Sequence, residues 1–318
     1  MNPKMLVTEA ANALNCQPQV IHTQIKRQNL EHWKNKNRVF FSHKTAKSIF
    51  DFQFKPQIIS FQIVKGGTGK TSLCLGVGIR ASLYGARTLL VDIDQQGNLT
   101  RACRMSAQDK PILIEIINRK LPVRDAIFPV FDGLDLLSSR IENALLDSHL
   151  MLKSFPLDRV YKELFAPLKN EYDLILFDCP PALGTSITAA ALSSDKIVSP
   201  VTPSEFSLEG LNITYKELKE GVEEKFGINI SISPVLNEFD ARTTLSHDIM
   251  RGLLSDTRFD KTLLRTVIRK NQEFENVISK GSSIFDSLIN TPAKEDVDML
   301  TRELLEIGDF SEEIPHQK

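Results

Sequence analysis

An apolar run followed at once by a glycine-rich loop constrains this chain more than any other feature. Residues 58–64 read Ile-Ile-Ser-Phe-Gln-Ile-Val, and residues 65–72 read Lys-Gly-Gly-Thr-Gly-Lys-Thr-Ser. Glycines allow backbone N–H groups to converge on a phosphate, and a helix N-terminus directly after them adds further donors. Helical spacing follows over residues 72–84. The order of a buried strand, this loop and a helix therefore predicts a phosphate-binding loop.

The loop departs from the general pattern G-x-x-x-x-G-K-[ST] at its first position, which Val64 occupies. The lysine and the hydroxyl residue that phosphate and Mg²⁺ binding require are nevertheless present. Lys70 is placed to reach the β- and γ-phosphates of a nucleotide, and the Thr71 hydroxyl to bind Mg²⁺. The predicted nucleotide-binding residues of the loop are Lys65, Gly66, Gly67, Thr68, Gly69, Lys70, Thr71 and Ser72.

Two further apolar runs end in carboxylates. Thr88-Leu-Leu-Val-Asp92 continues into Ile93-Asp94, and Leu174-Ile-Leu-Phe-Asp178 continues into Cys-Pro-Pro. Open α/β sheets bind ligands at the carboxyl ends of their strands, which is the usual place for an aspartate that holds Mg²⁺ through water. The alternative for the first pair is that the carboxylates cap the next turn.

The loop Lys-Gly-Gly-Thr-Gly-Lys-Thr resembles the deviant Walker A loop of the ParA/MinD group of P-loop ATPases, and residues 89–98 and 172–181 resemble that family's later motifs. The resemblance implies that Lys65 reaches across an ATP-sandwich dimer to the partner's phosphates, and that Asp94 orients the attacking water. The implied catalytic residues are Lys65, Lys70 and Asp94, and the implied metal residues are Thr71, Asp92 and Asp178.

The resemblance extends to later segments of the chain. Residues 195–211 are similar to the family's strand, proline-containing loop and E-G-L helix, which implicates Pro203 in nucleotide binding. The segment Asn237-Glu-Phe-Asp-Ala-Arg242 is similar to the family's N-x-x-D-x-R. Asn237 is thus a candidate adenine contact, since an amide offers both a donor and an acceptor. A strand-end asparagine is otherwise usually a turn former.

Residues 266–285 resemble the family's C-terminal segment, whose basic residues bind DNA without sequence preference. Clustered cations are what phosphate contacts require. Glu273 stands where many relatives carry an arginine. The alternative is an ordinary solvated helix face. The basic residues in and near this segment are Lys261, Arg265, Arg269, Lys270 and Lys280, of which Arg265, Arg269 and Lys270 are the predicted DNA contacts.

The first 55 residues differ in composition from the rest. They hold nine Lys and Arg against three Asp and Glu, whereas the whole chain has a net charge of −1. Helices are predicted near residues 7–14, with Thr8 as N-cap, over 19–29 and over 45–52, with a wing strand at 38–43. The pattern resembles a MerR-type winged helix, although a dimerisation arm is the alternative. The predicted DNA contacts are Gln19, His22, Thr23, Lys26 and Arg27.

At 318 residues the chain has room for one large α/β domain and a small appendage. We expect a mostly parallel, doubly wound P-loop NTPase sheet over residues 56–295, a winged-helix-like domain over 1–55 and an acidic C-terminal tail over 296–318. Four prolines, at 111, 122, 129 and 156, indicate short helices in the region 98–160. No apolar run approaches 18 residues, so a cytoplasmic protein with reduced thiols is expected. The resemblance implies that it is also nucleoid-associated.

These features favour a DNA-partitioning ATPase that uses ATP and Mg²⁺. The resemblance implies an ATP-dependent homodimer that binds nonspecific double-stranded DNA and is released by hydrolysis, which a ParB-like partner stimulates. The alternative is a transcriptional regulator that reads an operator through residues 1–55 and uses ATP as a conformational ligand. The acidic C-terminus argues against a membrane-surface ATPase, and the scattered cysteines argue against an iron–sulfur reductase.

Overall fold

The computed structural model describes residues 1–106 and 108–308. The chain begins with a small unit of three helices and a three-stranded antiparallel sheet of order β1-β3-β2, which we call the N-terminal unit. The last helix of this unit ends at Phe50. Its elements are β1 (Met5–Leu6), α1 (Val7–Ala13), α2 (Pro18–Arg27), β2 (Trp33–Asn35), β3 (Arg38–Phe41) and α3 (His43–Phe50).

Local sequence explains the helices of the N-terminal unit. Pro18 occupies the first turn of α2, where its missing N–H costs nothing. Ile21 and Ile25, one turn apart, face inward. Thr8 is not the N-cap of α1, because the helix already begins at Val7 and the Glu9 carboxylate accepts the N–H of Leu6 at 3.1 Å.

The main domain is built on an eight-stranded sheet of order β11-β10-β9-β4-β8-β5-β7-β6. Every neighbouring pair is parallel except β6 and β7. This confirms the predicted mostly parallel sheet. The strands are β4 (Gln57–Phe61), β5 (Thr88–Asp92), β6 (Ile127–Phe131), β7 (Leu134–Leu137), β8 (Leu174–Asp178), β9 (Lys196–Val201), β10 (Ile232–Phe239) and β11 (Val267–Arg269).

Helices cover both faces of this sheet, and the three buried apolar clusters lie between the layers. A π-helical stretch, Lys216–Glu223, continues α10, and short 3₁₀ turns occur elsewhere. The helices are α4 (Lys70–Leu83), α5 (Asn98–Ala102), α6 (Leu113–Arg119), α7 (Leu146–Leu152), α8 (Val160–Phe165), α9 (Thr185–Ser193), α10 (Glu205–Tyr215), α11 (Glu224–Phe226), α12 (Thr244–Ser255), α13 (Glu273–Ser279) and α14 (Pro292–Leu304).

The region 98–160 contains a β-hairpin as well as the short helices that its prolines indicated. Pro129 lies in β6, at the edge of the sheet. A proline is tolerated there because an edge strand leaves one side of its backbone unpaired. The prolines therefore did not exclude strands in this region, and the prediction missed β6 and β7.

The N-terminal unit and the main domain share one apolar core. Phe50 of α3 makes an edge-to-face contact with Tyr84, which follows α4, at 5.0 Å between ring centroids. His43 Nδ1 donates a hydrogen bond to the Ser82 carbonyl oxygen at 2.8 Å. Because the apolar surface is continuous, the unit is packed onto the end of α4 rather than tethered to it.

The predicted acidic tail, residues 296–318, begins inside the last helix of the main domain. Its residues 296–304 belong to α14, in which Val297, Leu300 and Leu304 are buried against α4. The apolar residues recur at helical spacing between the acidic ones, so one face of an acidic segment can pack. Residues 309–318 of the predicted tail lie outside the described residues.

Candidate functional site

The glycine-rich loop forms a tight turn between β4 and α4. Gly67 and Gly69 have φ values of +73° and +86°, which residues with a side chain rarely adopt. Gly69 is the N-cap residue and Lys70 the first residue of α4. The first N–H groups of α4 lack carbonyl partners within the helix and carry the positive end of its dipole. The loop therefore has the geometry of an anion site.

Asn237 lies behind this loop. Its side chain donates a hydrogen bond to the Thr68 carbonyl oxygen at 2.8 Å and is buried. A Cβ at position 69 would overlap the Asn237 amide, which is a second reason for a glycine there. Asn237 thus supports the loop from β10, while its contact with adenine stays a prediction.

Lys70 is buried at the first turn of α4. Its ammonium donates to the Lys65 carbonyl oxygen at 2.9 Å, so it curls back over the loop that would hold a phosphate chain. Burial lowers the pKa of Lys70, and the nearby Asp178 and Asp94 carboxylates oppose that shift. A buried ammonium with a single hydrogen bond can gain further partners when a phosphate binds.

Thr71 and Asp178 meet at the carboxyl end of β8. The Thr71 hydroxyl donates to Asp178 Oδ2 at 2.7 Å, and Asp178 is fully buried. Its Oδ1 atom has no hydrogen-bond partner among the described residues. A buried carboxylate oxygen without a partner is costly. The pair fits a hydrated Mg²⁺, with the Thr71 hydroxyl as ligand and Asp178 behind it.

The described residues contain no group of three or more His, Cys, Asp or Glu side chains arranged to hold a metal ion. Mg²⁺ commonly takes only one or two protein ligands and completes its shell with phosphate oxygens and water. Thr71 and Asp178 therefore suit a metal that arrives with a triphosphate.

Asp92 does not face the phosphate loop. Its Oδ2 atom accepts the Thr100 N–H at 2.8 Å and the Thr100 hydroxyl at 2.7 Å, which holds α5 against β5. Burial raises the pKa of Asp92 to about 7. Burial also raises the pKa of Asp178, with the Asp92 carboxylate as the second cause. Asp92 is thus placed to act on the metal site indirectly, through Asp178 and α5.

Asp94 lines the cleft in front of the phosphate loop. Its Oδ1 atom accepts the Gln96 N–H at 2.9 Å, and its carbonyl oxygen accepts the Gly97 N–H at 2.9 Å. The turn between β5 and α5 therefore holds this carboxylate at the edge of the cleft. The role of Asp94 beside the attacking water stays a prediction.

The cleft has a volume of about 990 Å³, enough for a nucleoside triphosphate. Arg101, Arg104 and Lys280 line it opposite the phosphate loop. Lys280 belongs to the basic segment recognised in the sequence, whereas the two arginines lie in no recognisable motif and were not predicted. Besides residues 66–72 and Asp94, the cleft is lined by Gln95, Gln96, Asn98, Arg101, Ala102, Arg104, Pro181, Lys280 and Gly281.

Lys65 is exposed and does not line the cleft of its own chain as the structure describes it. Its ammonium lies 5.6 Å from the centroid of the Phe206 ring, and Phe206 of α10 is itself 70% exposed. Pro203 lies in the turn between β9 and α10 and is not among the cleft-lining residues. Its contact with a nucleotide, like that of Lys65, stays a prediction.

The predicted basic DNA contacts are not equally available. The Arg269 guanidinium pairs with Asp296 at 2.6 Å and with Glu295 at 3.1 Å, and the Asp296 hydrogen bond raises its pKa. Arg269 thus anchors β11 to α14, and its contact with DNA stays a prediction. Arg265 and Lys270 are exposed at either end of β11.

The predicted DNA contacts of the N-terminal unit lie along one helix. Gln19, Thr23, Lys26 and Arg27 are exposed on α2 and His22 is half-buried, while the isoleucines of α2 face the core. Within the part of the chain that the structure describes, this side of α2 is open to a partner. No helix in the described ranges is long and apolar enough to span a membrane.

Comparison with known proteins agrees with this geometry. A family profile described as an AAA domain matches residues 56–232. The virulence plasmid ParA family protein pGP5-D of Chlamydia psittaci is 31% identical over 252 residues, which are 77% of this chain and 93% of that protein. The chain belongs to the ParA family of P-loop ATPases.

Other ParA-type proteins show the same likeness. The sporulation initiation inhibitor protein Soj of Bacillus subtilis is 32% identical over 231 residues, covering 72% of this chain and 90% of Soj. The ATP complex of a Cyanothece McdA variant superimposes with a TM-score of 0.71 at 19% identity, over 82% of this chain and 100% of McdA. The identity with McdA supports the fold alone. The matched profile begins after the N-terminal unit.

Proposed function

We propose that this ParA-family ATPase partitions DNA. ATP closes a homodimer across the cleft, the dimer binds duplex DNA without sequence preference, and hydrolysis releases it when a ParB-like partner stimulates the reaction. The position of Lys65 is the observation that carries this proposal. An exposed lysine at the start of the phosphate loop, outside its own cleft, is free to enter the cleft of a second copy.

The reaction is in-line attack of water on the γ-phosphate, in which positioning and charge neutralisation supply most of the catalysis. Lys70 neutralises the β- and γ-phosphates, and Asp94 orients the water. Thr71 and Asp178 would hold Mg²⁺, which would supply positive charge to neutralise the phosphates. Lys65 of the second copy adds positive charge that is present only in the dimer, so hydrolysis depends on dimerisation.

Binding to random-sequence duplex DNA tests this proposal. Wild type, Lys65→Ala and a control, Lys162→Ala on the exposed side of α8, are compared with ATP, with ADP and without nucleotide. We expect ATP-dependent binding in wild type and the control, and none in Lys65→Ala. Binding that ignores nucleotide and persists in Lys65→Ala would overturn the sandwich mechanism.

A second function, operator binding by the N-terminal unit, is favoured by the exposed Lys26 and Arg27 on α2. This function can coexist with partition. Deleting residues 1–55 would expose the apolar core that the unit shares with the main domain. The better test is Lys26→Ala with Arg27→Ala, which should weaken binding to DNA from the protein's own promoter and leave ATP hydrolysis unchanged.

A further inference from the structure

The turn between β5 and α5 carries Asp94 and is closed by local hydrogen bonds. The Asp94 carboxylate accepts the Gln96 N–H at 2.9 Å, and the Asp94 carbonyl oxygen accepts the Gly97 N–H at 2.9 Å. Gly97 has a φ of +63°, and a Cβ there would lie 3.0 Å from the Ser139 carbonyl oxygen. The turn is therefore compact, and it lies against the residues that follow β7.

Helix α5, which follows this turn, is fixed to the sheet at Thr100. The Asp92 carboxylate at the end of β5 accepts the N–H and the hydroxyl of Thr100, at 2.8 and 2.7 Å. The Thr100 hydroxyl in turn accepts the Ser139 N–H at 2.9 Å, and all three residues are buried. Because Thr100 is held from the ends of two strands, the backbone of its neighbour Arg101 is fixed as well.

The Arg101 side chain reaches back from α5 to the turn. Its guanidinium donates to the Gln96 carbonyl oxygen at 2.6 Å and to Asn98 Oδ1 at 2.5 Å. Gln96 and Asn98 flank Gly97, so one planar group joins the two sides of the turn. Arg101, both of its partners and Asp94 line the nucleotide cleft. The guanidinium thus braces the turn at the wall of the cleft, on a helix that the sheet holds in place.

Arg101 does not occupy the Asp94 carboxylate. Within the part of the chain that the structure describes, both acceptors of the Arg101 guanidinium are neutral amide oxygens. Elsewhere, Arg242 and Arg258 each pair with an aspartate two residues earlier in the chain. An ion pair of that kind would use the Asp94 oxygens, whereas a carboxylate that accepts one N–H keeps further lone pairs for a ligand. The guanidinium therefore fixes the turn and leaves its functional group available.

We propose that Arg101 is a positioning residue for ATP hydrolysis, which holds the Asp94 turn where the carboxylate can orient the attacking water. The inference rests on the proposed function, which assigns that water to Asp94. In the step, the water oxygen bonds to the γ-phosphorus, the bond to the β–γ bridging oxygen breaks with its electron pair leaving on ADP, and a water proton passes to the phosphate formed. A displacement of about 1 Å at such a group can slow a reaction by about 10²-fold.

Single-turnover hydrolysis of ATP by the full chain tests this role. Wild type is compared with Arg101→Ala, with Arg101→Lys and with the control Arg119→Ala, which removes an exposed arginine from the last turn of another short helix, α6. A fluorescent ATP analogue measures nucleotide affinity, and analytical ultracentrifugation with ATP measures dimerisation. Urea unfolding without nucleotide shows whether each variant keeps the stability of the wild type.

We expect Arg101→Ala to lower the hydrolysis rate constant by about 10- to 100-fold, while nucleotide affinity, dimerisation and the unfolding midpoint stay as in the control. Arg101→Lys should lose nearly as much, because a lysine keeps the charge but lacks the rigid fork that meets two acceptors. A wild-type rate in either variant would overturn the proposal. So would a loss of nucleotide binding or dimerisation large enough to account for the slower hydrolysis.

A double variant shows whether Arg101 acts through Asp94. Residues that act as one unit have non-additive effects on rate, so adding Arg101→Ala to Asp94→Asn should slow the residual hydrolysis by less than about twofold. A further loss of about tenfold or more in the double variant would mean that Arg101 acts independently of Asp94 and would overturn the positioning role. If the wild type and the Arg119→Ala control do not hydrolyse ATP, the ATPase proposal itself fails, which is a different result from a defect confined to the Arg101 variants.

Discussion

Helix α4 has a buried cluster of charges at each end, and the two clusters are satisfied to different degrees. The cluster at its first turn, which we call the cleft cluster, consists of Lys70, Asp92 and Asp178. The cluster at its last turns, the joint cluster, consists of Arg80 with Glu9 and Asp298. The two ends of α4 therefore allow a comparison between buried charges that would bind a ligand and buried charges that stabilise the fold.

The joint cluster pairs every charge it buries. Arg80 donates to Asp298 Oδ1 at 2.5 Å and to Glu9 Oε2 at 3.3 Å, and the Tyr84 hydroxyl donates to Asp298 Oδ1 at 2.5 Å. Burial opposes the charge on Arg80, but the neighbouring Asp298, Tyr84 and Glu9 raise its pKa overall. The cluster holds the N-terminal unit, α4 and α14 together.

The cleft cluster leaves oxygens unused. Asp178 Oδ1 and Asp92 Oδ1 are buried and lack hydrogen-bond partners in the described chain. Burial raises the pKa of both carboxyls and lowers that of Lys70, so each group is held in an unfavourable environment for its charge. Such strain is typical of sites that await a ligand. Incomplete satisfaction, not burial, distinguishes the functional cluster from the structural one.

Breaking the joint cluster gives the largest expected effect. Arg80→Met should lower the free energy of unfolding by about 3–5 kcal/mol, because it leaves the half-buried Glu9 and Asp298 carboxylates without the buried guanidinium that pairs with both. The control Arg87→Met removes an exposed arginine whose pair with Asp135 spans 3.6 Å, and should cost less than about 1 kcal/mol. Urea unfolding measures both. Equal losses in the two variants would show that the joint cluster does not stabilise the fold.

Breaking the cleft cluster should affect chemistry more than folding. Lys70→Ala removes the ammonium that faces the phosphates and should lower kcat for ATP hydrolysis by about 10²- to 10³-fold. Its free energy of unfolding without nucleotide should fall by less than that of Arg80→Met, since Lys70 makes one hydrogen bond among the described residues. Steady-state phosphate release, with Lys162→Ala as control, measures the first effect. A loss in the free energy of unfolding as large as that of Arg80→Met would show that the two clusters do not differ in how much they stabilise the fold.

The cleft cluster was largely predictable from the sequence, and the joint cluster was not. The phosphate loop, Asp94 and Asp178 sit at fixed offsets from strands, because glycine geometry and strand ends dictate where they lie. Glu9 and Asp298 lie 71 and 218 residues from Arg80. Nothing local marks such residues as partners, since only the folded core brings them together.

Other misses have the same cause. Arg104 has an ordinary sequence neighbourhood, and only the position of Gly281 gives it a role at the cleft. Arg269 was grouped with the DNA contacts because its charge is visible in the sequence, whereas Asp296 and Glu295, which pair with it from helix α14, are not recognisable there as its partners. A charge pattern predicts what a residue can bind, but the tertiary fold decides whether a partner is already present.

The smallest expected effect is a gain in stability, and it tests the same difference between the two clusters. Asp178→Asn should abolish nucleotide-dependent activity, yet stabilise the nucleotide-free protein by about 1 kcal/mol at pH 8. The reason is that Asn removes a buried charge whose neighbour, Asp92, carries another. No such gain is expected from Asp298→Asn, the matched change in the joint cluster, because there the carboxylate is paired with Arg80 and its loss should destabilise the protein.

The gain depends on pH, and its sign follows from the pKa shifts. Burial raises the pKa of Asp178 well above its ordinary value and that of Asp92 to about 7, so the folded protein binds these protons more tightly than the unfolded chain. The wild type therefore loses stability as pH rises from the ordinary carboxyl pKa of 3.8 to about 7. The advantage of Asp178→Asn should be small near pH 5 and grow toward pH 8, as thermal or urea unfolding across pH can measure. An advantage that shrinks with rising pH would mean that the two carboxylates do not repel each other in the folded protein, and that the cleft cluster is as well satisfied as the joint cluster.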